Sequence, residues 1–384
     1  MKTQHRWLIR RTSCDVPVIL LAVMIAVSLL VSPLPKRSLR AVWPLLLGIV
    51  LYWVIARWPW TERTLAWAWW GIIVAGVVLA LVGFVGMEVK SGVLFPWMQR
   101  LRLDLQSRMG GFRQRLPDTF HPNVVAGTLA LLVPFGAARA LVSQHPKAWE
   151  RWVPSLLASM LTLAMVACVI LSQARGAYLG LAMSALVLTA LTAPRLLLGL
   201  IPLLVALLVA GGSLMGWPNL LKELVSVDPA RGLGWREEVW SAAIYLVKDF
   251  PFTGVGFGCF EPVVASWYPL APLGGATHAH NLALQVAVDL GLPGLVAFLT
   301  LLGLTFHRLI MAYVACRRAA QWPRAALSAA CLASLAGMCV HGVIDAATWG
   351  NKGAFVFWVV VGVSLATSRL SCRLSNATQG PQHL

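Results

Sequence analysis

Ten apolar runs constrain the fold of this chain more than any other feature of its sequence. A helix needs about 20 mostly apolar residues to cross the hydrocarbon core of a bilayer. The runs cover residues 16–32, 41–56, 64–86, 122–142, 152–171, 176–193, 195–215, 292–314, 325–345 and 353–370. Only 12% of the residues are charged, whereas soluble domains usually carry about 25%. The sequence therefore predicts an all-α polytopic membrane protein with about ten transmembrane helices.

The basic residues predict how the chain is oriented. The net charge is +17, from 31 Lys and Arg against 14 Asp and Glu. These residues lie mainly between apolar runs, which favours roles in topology and in binding membrane lipids or anionic lipid-linked ligands, and argues against nucleic acid. The first run follows a basic N-terminus but lacks a small-residue cleavage site, so we interpret it as a span. The charge bias predicts cytoplasmic termini, with the longer loops 87–121 and 216–291 outside.

We divide the chain into three parts: residues 1–121 with the first spans and an interfacial segment, 122–371 as the main membrane domain, and 372–384 as a cytoplasmic tail. In the first long loop, apolar residues recur at helical spacing, with arginines on most of the other face: Met98, Leu101, Leu105, Met109, Phe112 and Leu116. The pattern predicts a helix in the membrane interface, although residues 101–105 alternate as in a short strand. Seven scattered cysteines without a C-x-x-C pair predict neither a disulfide framework nor a zinc site.

Arg175 lies in a very tight turn, residues 172–176, between two spans. An arginine at that depth is unfavourable unless it is paired, so its position indicates a functional role. The alternative is an arginine that extends to the lipid headgroups.

Arg236 lies near the start of a helix that is predicted to run to Lys248. Trp240 follows Arg236 by four residues, so the two side chains share a helix face. An exposed ion pair with Glu237 or Glu238 is the alternative. The Gly-Val-Gly-Phe-Gly segment that starts at Gly254 lacks the strand–turn–helix context of a dinucleotide site. It indicates either backbone that approaches a ligand closely or a simple loop.

His278 and His280 form the most informative local pattern. Thr277 is a candidate cap for a helix that begins near His278, and Gly291 a candidate end. His280 would lie in the first turn, where the helix dipole disfavours an imidazolium and leaves a neutral ring that can act as a general base. Two histidines that are two positions apart on a helix face away from each other, and no carboxylate cluster adjoins them in sequence, so we predict no metal site. A purely structural histidine is the remaining alternative.

Acidic motifs that could hold a divalent cation on a diphosphate are absent from the sequence. An enzyme that acts on a diphosphate would therefore need arginines, whose planar guanidinium groups match phosphate oxygens. His341 and Asp345 are four residues apart near the end of a span, so they could pair on one helix face.

These motifs occur in a characteristic order over roughly residues 120–350. They are His121-Pro-Asn123, Ser172-Gln-Ala-Arg175-Gly176, Arg236 to Trp240, Pro251 to Phe260, His278-Ala-His280-Asn281, Leu290 to Gly294, and His341 to Asp345. The series resembles the O-antigen ligase and O-antigen polymerase superfamily of bacterial envelope glycosyltransferases. Two features depart from the family pattern: the serine–arginine doublet is loosened to Ser172-Gln-Ala-Arg175, and a second histidine, His278, precedes His280.

The resemblance implies a GT-C-like fold in the bacterial inner membrane, with the active site on the extracytoplasmic face. It implies a glycan donor linked to undecaprenyl diphosphate and an acceptor that is a glycan or a lipid-anchored sugar, without a metal or other cofactor. Arg175 and Arg236 would contact the diphosphate, and His280 would activate the acceptor. The remaining candidate substrate-binding residues are His278, Asn281, Trp240, Gly256, Arg100 and Arg102.

Two alternatives to a ligase stay open. A polymerase of the same superfamily would use the same donor but another repeat unit as acceptor. A transporter or an inorganic-carbon accessory protein would belong to a different class. A transporter should show two related halves and a site at the membrane midplane, whereas the candidate residues here gather towards one face.

Overall fold

A computed structural model describes residues 11–88, 96–114, 116, 120–142, 148–218, 232–268 and 276–378. The described part is helical, and its one β-bridge joins Met87 and Phe120. The helices are α1 (Asp15–Val31), α2 (Pro35–Arg57), α3 (Glu62–Gly86), α4 (Pro96–Arg108), α5 (Gly110–Arg113), α6 (Pro122–Leu141), α7 (Ala148–Ser172), α8 (Arg175–Thr192), α9 (Leu197–Met215), α10 (Gly232–Asp249), α11 (Phe260–Trp267), α12 (Leu282–Arg318), α13 (Trp322–Ile344) and α14 (Ala354–Thr378).

The predicted spans are confirmed as helices. Within the described ranges, 9 helices are long and apolar enough to cross a membrane, and α1 is a shorter apolar helix of 17 residues. The run predicted at 41–56 is longer in the structure, because α2 begins at Pro35 and includes polar residues in its first turns. The chain is therefore a polytopic, all-α membrane protein.

The centre of the bundle is α13, which packs against α6, α8 and α12. It approaches α8 closely at Gly337 and Gly180, where a Cβ atom on Gly337 would lie 2.5 Å from the carbonyl oxygen of Gly180. Small residues at such a crossing let two membrane helices approach closely. By contrast, only 6% of the α9 span is buried inside the protein, so this helix presents its leucine-rich surface to lipid.

The longest helix, α12, is interrupted at Gly291, which has a φ of 69°. The interruption lets the loop after α10 pack against it, and the Leu292 amide donates to the Pro251 carbonyl at 2.6 Å. Gly291 was predicted to end a helix, and the break is at that residue. The predicted start near His278 is wrong, because α12 begins at Leu282 with Asn281 as its N-cap.

The helix predicted in the first long loop is confirmed over Pro96–Arg108, which excludes the strand alternative for residues 101–105; its position in the membrane interface stays a prediction. Its apolar residues Leu101 and Leu105 are exposed, whereas Arg102 is only 1% exposed. Arg102 donates to the Glu88 carbonyl at 3.1 Å, so this arginine anchors the helix to the chain before it. The exposed apolar face is what a helix lying in lipid requires.

Beyond the spans, α10 and α11 share a separate apolar core. Its buried members include Val239 and Leu246 of α10 and Phe260 and Val263 of α11. Because α10 also contacts α12, this small core holds α10 against the end of the bundle at which α12 begins. Arg236, near the start of α10, is positioned in this way.

Candidate active site

Helix ends from distant parts of the chain meet at one end of the bundle. The helices α6 and α8 begin there, the loop that precedes α12 passes over them, and α13 ends there. Asp345 lies one residue beyond α13, in extended backbone with φ −158°. Its carboxylate accepts hydrogen bonds from Asn123 Nδ2 and from the Ala346 amide, both at 2.7 Å. Asp345 is thus a buried anion with a fixed orientation.

Both histidines of the pre-α12 loop face this carboxylate. His278 Nε2 and His280 Nδ1 each lie 3.8 Å from Asp345 Oδ1. Their rings are side by side, with centroids 3.9 Å apart, because His280 has a left-handed φ of 47°. In a non-glycine residue this conformation is unfavourable and is retained only where the surroundings impose it. Trp235 packs against His280 with a centroid distance of 5.3 Å.

The backbone indicates how the two neutral rings carry their protons. The His280 amide donates to His278 Nδ1 at 3.1 Å, so in neutral His278 the proton is on Nε2, which faces Asp345. His280 Nδ1 is buried and makes no hydrogen bond to the described residues. A proton on His280 Nδ1 would point towards Asp345 and leave Nε2 as a proton acceptor, the arrangement that a carboxylate imposes on a general-base histidine.

Burial decides the charge of these groups. It lowers the pKa of His280 to about 3, helped by nearby His278 and Arg236 and opposed by Asp345. Burial also lowers the pKa of His278. For Asp345, burial alone would raise the pKa, but the neighbouring imidazoles and the Asn123 hydrogen bond hold it below its usual range. At neutral pH the cluster therefore consists of one carboxylate and two neutral rings.

This result corrects the sequence-based explanation of the neutral His280. The capping role assigned to Thr277 and the position of His280 in a first helical turn are wrong, because Asn281 caps α12 through its Oδ1, which accepts from the Leu284 amide at 3.0 Å. The neutral ring arises mainly from desolvation, and not from the dipole of α12.

Two arginines converge beside the cluster. Arg236 is 5% exposed, and its Nε and Nη1 atoms are buried without a hydrogen-bond partner among the described residues. Burial lowers the pKa of Arg236 to about 10, Asp345 acts in the opposite direction and Arg175 lowers it further. Arg236 is thus still a cation at neutral pH. Arg175 is the first residue of α8 and is also buried, which places a second cation at this end of the bundle.

Two further side chains shape the site. Trp240, one helical turn after Arg236, has a buried Nε1 without a hydrogen-bond partner in the described part of the chain. His341 occupies a slot between α6 and α8 that only glycine permits. A Cβ atom at Gly127 would lie 2.5 Å from His341 Cε1, and one at Gly176 would lie 2.7 Å from His341 Cδ2.

Four candidate substrate-binding residues have contacts other than with the histidine–carboxylate cluster. The side chain of Asn281 caps α12 and donates to the Val343 carbonyl at 3.0 Å, so it ties the histidine loop to α13. Gly256 lies against the end of α1, where an added Cβ atom would be 2.8 Å from Ser32 Cα. Arg100 is exposed on α4, and Arg102 is buried against Glu88. Their roles in binding substrate stay predictions.

Sequence reasoning missed the central position of Asp345 and its contact with Asn123. The sequence suggested that Asp345 could pair with His341, and the two groups do interact electrostatically, but α13 ends before Asp345 and its carboxylate also faces the other two histidines. Asn123 was noted only as part of a motif. The sequence held a hint, because Asn123 lies where one apolar run begins and Asp345 lies where another ends. An unpaired polar group is unfavourable at such a position.

The arrangement also reopens the question of a metal. The ligand atoms of His278, His280 and Asp345 lie within 4.8 Å of one another; the expected separation of the two rings on a helix is therefore wrong, and one carboxylate joins them from a distant part of the chain. The types of ligand fit zinc, because two imidazoles and one carboxylate form known zinc sites. The hydrogen bond that the His280 amide donates to His278 Nδ1 does not fit a metal site. His278 would have to bind the metal through Nε2, and Nε2 is the atom that carries its proton. We therefore derive no reaction step through a metal.

The fold and the site together define a class: a polytopic membrane protein with a buried histidine–carboxylate–arginine cluster at one end of its bundle. A family model described as O-antigen ligase matches residues 160–299, a stretch that includes Arg175, Arg236, His278 and His280. The match confirms the resemblance to the O-antigen ligase family over these residues. Comparison with curated proteins gives no match.

Proposed function

We propose that this protein transfers a glycan from undecaprenyl diphosphate to an acceptor hydroxyl, as an O-antigen ligase. The observation that carries the proposal is the presence of buried donors without partners beside a histidine–carboxylate pair. Arg236 Nε, Arg236 Nη1 and Trp240 Nε1 are such donors within the described residues. A buried donor that lacks a partner is unfavourable by about 1–3 kcal/mol, so these groups are best explained as ligands for the oxygens of a substrate.

The reaction follows from these positions. His280 Nε2 accepts the proton of the acceptor hydroxyl while the acceptor oxygen attacks the anomeric carbon of the donor glycan. The bond from that carbon to the diphosphate oxygen breaks, the electron pair leaves with the diphosphate, and the configuration inverts. Asp345, 3.8 Å from His280 Nδ1, stabilises the imidazolium that forms. A general base of this kind contributes about 10²–10⁴-fold to the rate.

The two arginines act on the leaving group. Negative charge develops on the diphosphate as the bond breaks, and Arg175 and Arg236 are already ordered and desolvated at this position. Preorganised cations of this kind stabilise a transition state more than mobile water does. The mechanism therefore uses side chains of this chain alone, and the GT-C-like fold supplies a site that a lipid-linked donor can enter from the bilayer. The basic residues favour the extracytoplasmic face of the inner membrane.

The test uses the purified full-length protein in detergent with an undecaprenyl-diphosphate-linked glycan and a lipid-anchored core sugar. We expect glycan transfer in the presence of a chelator, and a loss of at least about a hundredfold in His280→Ala and in Arg236→Ala. Matched controls are His307→Ala and Lys248→Ala, which remove an exposed histidine from α12 and an exposed cation from α10. Full activity in both site variants would contradict the assignment.

Ligase and polymerase activities differ only in the acceptor, so the same assay separates them. Transfer to the core sugar supports a ligase, whereas extension of a second lipid-linked repeat unit would identify a polymerase. Absence of transfer to either acceptor, together with a transport defect and normal surface glycan in a deletion strain, would favour the transporter alternative.

A further inference from the structure

A basic cavity lies at the end of the bundle opposite the histidine cluster. Its volume is about 530 Å³, and its lining includes Arg11 before α1, Arg57 at the end of α2, Arg308 on α12 and Arg369 on α14. The candidate active site uses none of these residues. Four arginines from four parts of the chain converge here because the ends of these helices meet.

Contacts along α12 show that the cavity and the histidine cluster lie at opposite ends of the bundle. Near its start, the Asp289 carbonyl accepts from Ser28 Oγ at 2.7 Å, close to the end of α1. Further on, Thr305 Oγ1 lies 3.9 Å from Cys14 Sγ, just before the start of α1. The two helices are therefore antiparallel. With a rise of about 1.5 Å per residue, the unbroken part of α12 from Leu292 to Arg308 spans roughly 24 Å, which is most of the hydrocarbon core of about 30 Å.

The positive charge of the cavity is only partly neutralised. Arg57 donates to Asp15 Oδ1 at 2.7 Å, and Asp15 offsets one of the four positive charges. Arg57 is 4% exposed, and its Nε and Nη1 atoms have no hydrogen-bond partner among the described residues. Arg369 donates to the backbone carbonyls of Ala56 and Arg11, which carry no net charge. An excess of positive charge around a buried guanidinium with unpartnered nitrogens is suited to an anion.

The remaining lining indicates what kind of anion. Trp58 and Trp60 lie at the cavity, and tryptophan is enriched where a membrane protein meets the headgroup layer. The buried apolar residues Leu365, Ala366 and Leu370 of α14 form another part of the wall. A soluble phosphate would use only the arginines, whereas a phospholipid would also use an apolar wall and a position at headgroup depth. Basic pockets between membrane helices bind anionic headgroups for this reason.

We propose that this cavity binds the phosphate headgroup of an anionic phospholipid from the membrane leaflet on the N-terminal side. The phosphate oxygens accept hydrogen bonds from Arg57, Arg11 and Arg308, and the first carbons of the acyl chains lie against α14. The proposal does not depend on the reaction at the histidine cluster.

The test is native mass spectrometry of the purified full-length protein, titrated with phosphatidylglycerol and with phosphatidylcholine of the same acyl chains. The variant is Arg11→Gln/Arg308→Gln, because both side chains are exposed and neither makes the buried ion pair to Asp15. We expect phosphatidylglycerol to bind this variant about 30-fold more weakly, or about fivefold for each arginine. The matched control, Arg195→Gln/Arg318→Gln, removes two exposed arginines outside the cavity and should bind as the unmodified protein does.

A third titration, with glycerol phosphate, separates a lipid from a soluble ligand. The proposal expects no binding at millimolar concentration. Binding of glycerol phosphate as tight as that of the lipid, with the same dependence on the two arginines, would support an anion site but overturn the assignment to a lipid. Equal binding of the two phospholipids, or unchanged binding in Arg11→Gln/Arg308→Gln with an unchanged thermal unfolding temperature, would overturn the site itself.

Discussion

The substitution Asp345→Asn tests the mechanism at its most specific point. It removes the negative charge that lies 3.8 Å from His280 Nδ1 and leaves a side chain of nearly the same shape. Two unit charges at about 4 Å interact by about 4 kcal/mol at an effective dielectric constant of about 20. Both side chains are close to fully buried, at 11% and 6% exposure, so solvent reduces this interaction only a little.

That interaction exists only while His280 is an imidazolium, and therefore only after it has taken the proton of the acceptor. Its loss raises the barrier without weakening the binding of the substrate. Since about 1.4 kcal/mol corresponds to a factor of ten in rate, we expect kcat to fall by about 10²–10³-fold with KM changed less than threefold. The assay is steady-state glycan transfer by the purified protein, with Asp249→Asn as a control that removes an exposed carboxylate at the end of α10.

A purely structural role for Asp345 would predict a different pattern. Asparagine can accept from Asn123, but its amide group then faces the Ala346 amide, so some loss of stability is expected and is measured by thermal unfolding. The double variant His280→Ala/Asp345→Asn separates the two roles, because coupled residues lose the same interaction only once. If Asp345→Asn lowers kcat by the same factor with and without His280, the reasoning is refuted.

Three other predictions concern the arginines, the packing and the pH dependence. Arg236→Lys keeps the charge but not the planar guanidinium, so transfer should fall at least about tenfold at unchanged thermal stability; equal kinetics would contradict a diphosphate role. Gly127→Ala would place a Cβ atom 2.5 Å from His341 Cε1, and we expect a loss of about 1–3 kcal/mol in the free energy of unfolding; Gly71→Ala is the control, because no heavy atom lies within 4 Å of its added Cβ. Because burial lowers the pKa of His280 to about 3, the base stays unprotonated well below the usual range of histidine, so kcat/KM should not fall between pH 8 and pH 6; an acid limb centred near 6.5 would contradict this.

The spans could be predicted from the sequence because the requirement for them is local. A run such as residues 64–86 is apolar along its whole length, and a bilayer leaves such a segment few conformations other than a helix. Arg175 could be singled out for a related reason, since this cation lies between two apolar runs and needs a partner or a ligand. These inferences use only neighbours in the sequence.

The arrangement of the histidines could not be predicted in this way. The left-handed conformation of His280 brings two rings together that a helix would have separated, and no local preference of histidine favours it. The Asn123–Asp345 hydrogen bond joins residues 222 positions apart, so it depends on how α6 and α13 pack. The hydrogen bond from Arg102 to the Glu88 carbonyl could not be predicted for the same reason, because Glu88 lies in a preceding segment.

The placement of one anion between neutral rings and two arginines has a consequence for the charge of the site during the reaction. In the proposed mechanism, Arg175 and Arg236 face the diphosphate before transfer, while Asp345 and the two histidines contribute a single negative charge. As the glycosidic bond breaks, the departing diphosphate gains one negative charge and His280 gains one positive charge. The net charge of the buried site is therefore unchanged. Any base that takes the proton leaves this sum unchanged, but the new positive charge on His280 forms 3.8 Å from the Asp345 carboxylate, and opposite charges attract strongly in a medium of low dielectric constant.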